Sequence, residues 1–303
     1  MGENRLGQLY AVLAFTFWGA IAPVYFKQVA SVEPIEVLIH RIFWSFIILI
    51  PLLFITKQVE VFKSVIKDFK KLKYLAFSTF FISLNWLVFI WAVGNDNIME
   101  TSLGYYINPL VSVFLGYVFF SERMTKYQYI AIFIAFLAVS YQVVSLGSIP
   151  LVSILLALSF AFYGMIRKKI NVGSIVGLFI ETLMLMPFAL IGIYYLIVTE
   201  KISFLHSTPY IDTMLSLGGL ITIIPLLLFN GAATRMRLAT LGFFQYIGPT
   251  CSFLLAIFIY NEEFNSDKFI TFSLIWIALV IFSLDSINTK HQNKKLKSKE
   301  LNS

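Results

Sequence analysis

Residues 91–109 read WAVGNDNIMETSLGYYINP, and residues 231–249, 140 positions further on, read GAATRMRLATLGFFQYIGP. Laid on each other without a gap, Pro109 falls on Pro249, Tyr106 on Tyr246, Ile107 on Ile247 and Ala92 on Ala232. Each stretch closes on a proline with a glycine several residues ahead, Gly104 in the first and Gly242 in the second. Matches at a fixed spacing mark an internal repeat. The register continues outward: Glu122 falls on Glu262, Ile130 on Ile270 and Ala138 on Ala278. A slightly different offset lays Phe17-Trp18-Gly19 on Phe162-Tyr163-Gly164.

The repeated unit is a set of apolar runs. Ten spans are read, at 6–26, 36–56, 72–93, 100–120, 127–146, 149–169, 174–198, 213–234, 239–260 and 267–287. Each is near the ~20 residues that a helix needs to cross ~30 Å of hydrocarbon. The runs are continuous rather than alternating, which selects helices over barrel strands. Only 57–71 and 199–212 exceed ten residues among the connections, so no soluble domain is inserted. The predicted fold is therefore an all-α membrane protein of ten transmembrane helices. Residues 1–147 form a first five-helix repeat, 148–288 a second, and 289–303 a Lys-rich, disordered cytoplasmic tail. Five is odd, so the second repeat enters the membrane upside down. Inverted repeats surround a midplane cavity and exchange conformations to open it to either side.

Composition supports a lipid setting. Of 303 residues 59% are hydrophobic and 13% charged, and 31 are Phe; soluble domains carry about 25% charged residues. The net charge of +7 does not indicate nucleic acid, because the basic residues lie between the apolar runs. With the N-terminus in the cytoplasm, 19 of the 23 Lys and Arg residues fall inside, and Lys27, Lys201 and Lys268 outside. That asymmetry places both termini in the cytoplasm and the chain in the inner (cell) membrane. One cysteine, Cys251, excludes an intrachain disulfide framework, and His40, His206 and His291 have no ligand spacing. No metal or cofactor is implied, no cleavable signal follows the first run, and no nucleotide-binding loop occurs.

Several stretches carry a resemblance: FTFWGAIAPVYFK, LIHRIFWS, NWLVFIWAV, LGYYINPLVSVFLGYVFFSER, GLFIETLMLMP, LLLFNGAAT and LGFFQYIGPT. In this order, from about Leu6 to about Ser286, the chain resembles the RarD branch of the EamA group in the drug/metabolite transporter superfamily. The resemblance implies two five-helix inverted repeats around a central cavity and movement of small metabolites or drugs.

Charges within hydrocarbon cost ~2.5–3.5 kcal/mol at a helix centre on insertion scales, so they rarely face lipid. Arg41, in span 2, and Glu181, in span 7, sit at equivalent repeat positions. Arg41 is read as a binder of an anionic substrate group and Glu181 as a binder of an amine or proton. The alternative is that each anchors neighbouring helices, or that Arg41 snorkels to headgroups. A direct pair between them is disfavoured by their different depths. His40 is a candidate proton switch, against which stands a neutral ring packed at a helix interface. Asn85 and Asn230 offer substrate hydrogen bonds or interhelical links. Trp18 can stack on a planar ligand, whereas Trp86 reads as packing. Tyr105, Asn108, Gln245 and Tyr246 present polar edges beside the kink residues Gly104, Pro109, Gly242 and Pro249, a gating or cavity-lining element. Glu122 and Glu262 read as caps of loops or helix N-termini.

The expectation is a secondary active or facilitative exporter of small metabolites or drugs working by alternating access, with a small molecule and the lipid bilayer as partners and possible proton coupling. Arg41→Ala and Glu181→Gln are both expected to abolish flux in a folded protein. A membrane-embedded enzyme is the rival of another class, and a receptor or scaffold a third; no converging nucleophile, metal or carboxylate set supports catalysis. The sequence carries no signal of oligomeric state.

Overall fold

The computed structural model describes residues 3–95, 98–147, 150–259 and 269–285. Among these there is no strand. Nine helices are long and apolar enough to cross a membrane, and a tenth apolar helix, Phe269–Asp285, is shorter. In chain order the helices are α1 Glu3–Gln28, α2 Pro34–Ile55 and α3 Phe69–Gly94, then α4 Ile98–Phe120, α5 Lys126–Leu146 and α6 Leu151–Ile170. They continue as α7 Ser174–Val198, α8 Pro209–Ala233, α9 in two segments, Leu238–Gln245 and Ile247–Phe258, and α10 Phe269–Asp285. Glu262, Lys268 and the expected tail 289–303 lie outside the described residues.

Large apolar side chains point outward along most helices, among them Phe54, Phe80, Phe133, Phe188 and Ile191. Such a surface suits hydrocarbon as its solvent, where helices satisfy their backbone internally. Helix α6 is the most enclosed span, with 61% of its central window buried, and α5 the most peripheral, with 28%. The packing has a regular plan. Helix α1 contacts α8 and α9, while α6 contacts α3 and α4; α2 contacts α8, and α7 contacts α3. Each of these pairs becomes another of them when a helix is exchanged for the one five places on. The pairs α2·α7 and α4·α9 map onto themselves.

Polar contacts at the helix ends fix two faces. On one, Glu3 pairs with Arg235 at 2.8 Å, and Thr125 bonds Asp285 at 2.8 Å. Glu122, at the end of α4, accepts from the Leu238 and Ala239 N–H groups at 2.7 and 2.9 Å. It thus caps the N-terminus of α9, where orphan donors and the positive end of the helix dipole favour a carboxylate. On the far face, Glu36 accepts from the N–H groups of Ser203 and Phe204, and Glu100 from that of Val152.

The helices depart from uniform α geometry at several points. Residues Phe17–Ile21 form a π turn inside α1. Pro23 has no N–H, so the Gly19 carbonyl loses its ordinary partner; Ser252 Oγ donates to that oxygen at 2.9 Å instead. Helix α9 breaks at Tyr246, three residues ahead of Pro249, whereas α4 runs unbroken through Pro109. The two prolines at equivalent repeat positions therefore have different local outcomes. The connection 57–71 contains a short helix, Val59–Lys67. Asp68 follows it and accepts from the Lys71 N–H at 3.1 Å. That bond, with the nearby Lys71 ammonium, holds the Asp68 carboxyl below the usual range.

Candidate functional site

A cavity of about 740 Å³ lies among α1, α2, α3, α4, α5, α6, α8, α9 and α10. This is within the ordinary size of small-molecule sites. Its wall is drawn from the C-terminal parts of α1, α3, α5 and α9, with Phe26, Val29, Phe89, Gln142 and Ser252. The N-terminal parts of α2, α4 and α10 add Val37, Arg41, Thr101, Tyr105 and Thr271. In a chain that crosses back and forth, all of these ends lie on the far face. The other half of the molecule is filled. Phe15, Trp18, Phe160 and Phe229 meet at ring separations of 5.0–6.0 Å and close the cavity floor. Beneath them Leu49, Leu53 and Val176 pack in the main core.

Among the described wall residues Arg41 carries the one full charge. Its Nε donates to Thr222 Oγ1 at 2.9 Å, and Thr222 Oγ1 in turn donates to the Gly218 carbonyl. The guanidinium carbon sits 5.3 Å from the Phe26 ring centre and 5.2 Å from that of Trp86. Cation–π contact of this kind holds a desolvated guanidinium in place. Thr222 and Phe26 gave no sign in the sequence, being a hydroxyl and a ring within apolar runs. Trp86, read there as packing, stands in the cavity wall.

The structure brings together Trp18, Arg41, Asn85, Gly104, Tyr105, Asn108, Gln245 and Pro249 on this wall. Asn85 Nδ2 donates to the Leu156 carbonyl at 2.9 Å and to Ser159 Oγ at 3.0 Å, tying α3 to α6. Gln245 Nε2 donates to Ser112 Oγ at 3.2 Å, linking α9 to α4. Tyr246 lies behind the wall, its hydroxyl donating to the Tyr106 carbonyl at 3.3 Å. Pro109 and Gly242 also lie behind it, where α4 and α9 cross: a Cβ at Gly242 would come within 2.9 Å of the Pro109 carbonyl oxygen. His40 is buried off the cavity, 3.9 Å from Glu36 and 4.6 Å from the Phe204 ring.

Glu181 and Asn230 belong to a separate cluster nearer the other face. Glu181 accepts from Ser78 Oγ at 2.5 Å and from the Tyr163 hydroxyl at 3.3 Å, while Asn230 Nδ2 donates to that hydroxyl at 2.8 Å. The counter-ion is Arg167, whose Nη1 lies 3.7 Å from Glu181 Oε1, with both side chains enclosed. Arg167 is followed by Lys168 and Lys169, and all three count toward the basic residues expected on the cytoplasmic side. Residues one apart on a helix point about 100° apart, and the last turn of α6 turns Arg167 inward. Gly177 makes the room, since a Cβ there would overlap the guanidinium.

Comparison with known proteins agrees with this architecture. The model of the EamA-like transporter family matches residues 5–143. The chain is 45% identical over 294 residues to Protein RarD of Escherichia coli strain K12, covering 97% of this chain and 99% of that one. It is 44% identical over 293 residues, 97% of both chains, to an "Uncharacterized transporter" of Vibrio cholerae. A solved crystal structure of another protein superposes with a TM-score of 0.68 at 16% identity, over 92% of this chain and 97% of that one, a likeness of fold.

Proposed function

For a chain that belongs to the RarD family of EamA-type transporters, we propose that one small solute at a time crosses the inner membrane through the cavity at Arg41, by alternating access. In this reading α1–α5 and α6–α10 are two inverted repeats, and the face carrying Glu3 is cytoplasmic. The exchange of packing pairs between the halves supports the first point. The basic residues of the connections on that face, Lys57 to Lys73, Arg123 and Arg235 among them, support the second. The observation that carries the proposal is the one-sided cavity: the half near the far face is hollow and the other half is packed shut. A transporter held in one of its two access states has this form. Catalysis is the weaker reading, because no carboxylate, histidine or cysteine stands among the described wall residues.

The test is to lock the closed face. A Cβ at Gly7 would lie 3.0 Å from Arg235 Cβ, close enough for a bridge after small adjustment. In a Cys251→Ser background, Gly7→Cys with Arg235→Cys should form a disulfide. Liposomes holding the protein would be offered an extract of small cellular metabolites, and mass spectrometry would read what enters. We expect at least one solute to enter above protein-free vesicles, to stop on oxidation, and to resume with reductant. Entry of no solute, or flux indifferent to the bridge, would overturn the proposal.

A further inference from the structure

We infer that the solute is a monovalent organic anion, a carboxylate on a flat apolar body, with the carboxylate seated on Arg41. This rests on the transport reading above and goes on to the chemical class that the cavity selects.

The charge balance of the wall is the first argument. Arg41 brings one positive charge, and no acidic residue stands among the described wall residues. The nearest candidates are engaged elsewhere. Glu36 holds the Ser203 and Phe204 N–H groups, Glu100 holds the Val152 N–H, and Glu181 is closed in with Arg167. Among the described wall residues an amine or a quaternary ammonium therefore meets no counter-charge and one like charge. A zwitterion leaves its ammonium uncompensated, and a dianion leaves one negative charge so. One negative charge alone balances the site, and burying an unpaired ion is costly.

The geometry around the guanidinium is the second. Thr222 occupies Nε, and Phe26 and Trp86 flank the group. Among the described residues the two terminal nitrogens have no side-chain or backbone acceptor, and they open onto the hollow. A planar fork with its terminal nitrogens free matches the two oxygens of one carboxylate in parallel hydrogen bonds. The rest of the wall supplies the body of the ligand: Trp18, Phe89 and Phe160 give apolar faces, and Asn85 and Asn108 give polar points among them.

Matched ligands separate these classes without a variant. 3-Phenylpropionate, its amide and its amine differ in headgroup charge on one body, as do indole-3-acetate, its amide and tryptamine; phenylsuccinate is the dianion. The full chain would be studied in vesicles of phosphatidylcholine alone, so that no anionic lipid competes. We expect the monocarboxylates to raise the melting temperature saturably and to exchange across the vesicle wall, with the amides, amines and dianion weaker by about tenfold or more, the factor that corresponds to ~1.4 kcal/mol. Arg41→Ala should abolish the preference. Arg41→Lys, keeping the charge without the fork, should hold part of it, and Thr222→Ala should weaken it. Amines or amides that equal the carboxylates, no response to any carboxylate, or a carboxylate preference that survives Arg41→Ala would each overturn the assignment. Solute entry that stops when the closed face is bridged would still stand in those cases, so failure of the substrate class is separable from failure of transport.

Discussion

Arg167 and Glu181 show what a single side chain can decide in this molecule. Glu181 was legible in the sequence because a carboxylate stands out in an apolar run; Arg167 was not, because two lysines follow it. The ion pair is enclosed, and the three guanidinium nitrogens make no hydrogen bond among the described residues. Removing one member of a buried pair strands the other charge, at a cost of ~3–5 kcal/mol. Arg167→Met is therefore expected to destabilise the protein by about that much, read by unfolding in detergent. Arg167→Met with Glu181→Met should recover most of the loss, since both charges then leave together. A double variant that simply adds the two single losses would contradict this account. Glu181 stands off the cavity wall, in the buried pair with Arg167, so Glu181→Gln is expected to lower stability as well as flux, whereas Arg41→Ala is expected to abolish flux in a folded protein. Arg41 itself was readable for the same reason as Glu181, while its supports, Thr222 and Phe26, were not: a threonine in an apolar run more often bonds its own helix, and Thr222 does so as well.

At the scale of elements, the sequence disclosed where helices lie and concealed how they bend. Prolines at 23, 109 and 249 are plain to read, but their helices respond differently: a π turn precedes the first, the second helix runs on unbroken, and the third breaks. In α1 the freed Gly19 oxygen is taken up by Ser252 of α9, and the two helices meet at Gly19 and Gly248. A Cβ on Gly19 would overlap the Gly248 backbone, which cannot move aside as a side chain can. Gly19→Ala is expected to cost at least ~1–3 kcal/mol through overpacking and to lower the melting temperature of the purified protein. Gly104→Ala, whose new methyl would meet Leu156 Cβ at 3.1 Å and the Ser153 carbonyl oxygen at 3.2 Å, should be milder. Equal melting temperatures for the two variants would remove the close α1–α9 crossing from the account.

The whole molecule was the most legible level, because lipid imposes a length on each span and a charge bias on each connection. The ten spans read from sequence correspond to nine long helices and the shorter Phe269–Asp285 among the described residues. The orientation remains open to direct measurement. With Cys251 replaced, a cysteine at His206 should react with a membrane-impermeant maleimide on intact cells, and one at Arg237 only after the membrane is opened. The reverse pattern would invert the topology. The four rings beneath the cavity, Phe15, Trp18, Phe160 and Phe229, bear on the cell that carries this protein. A hydrated sodium ion or proton that reached them would have to shed its water against aromatic carbon, a transfer that costs many times the thermal energy. In the transport cycle proposed above, the membrane would keep its voltage between turnovers, and a cell could hold many copies of this chain without short-circuiting the ion gradient that powers it.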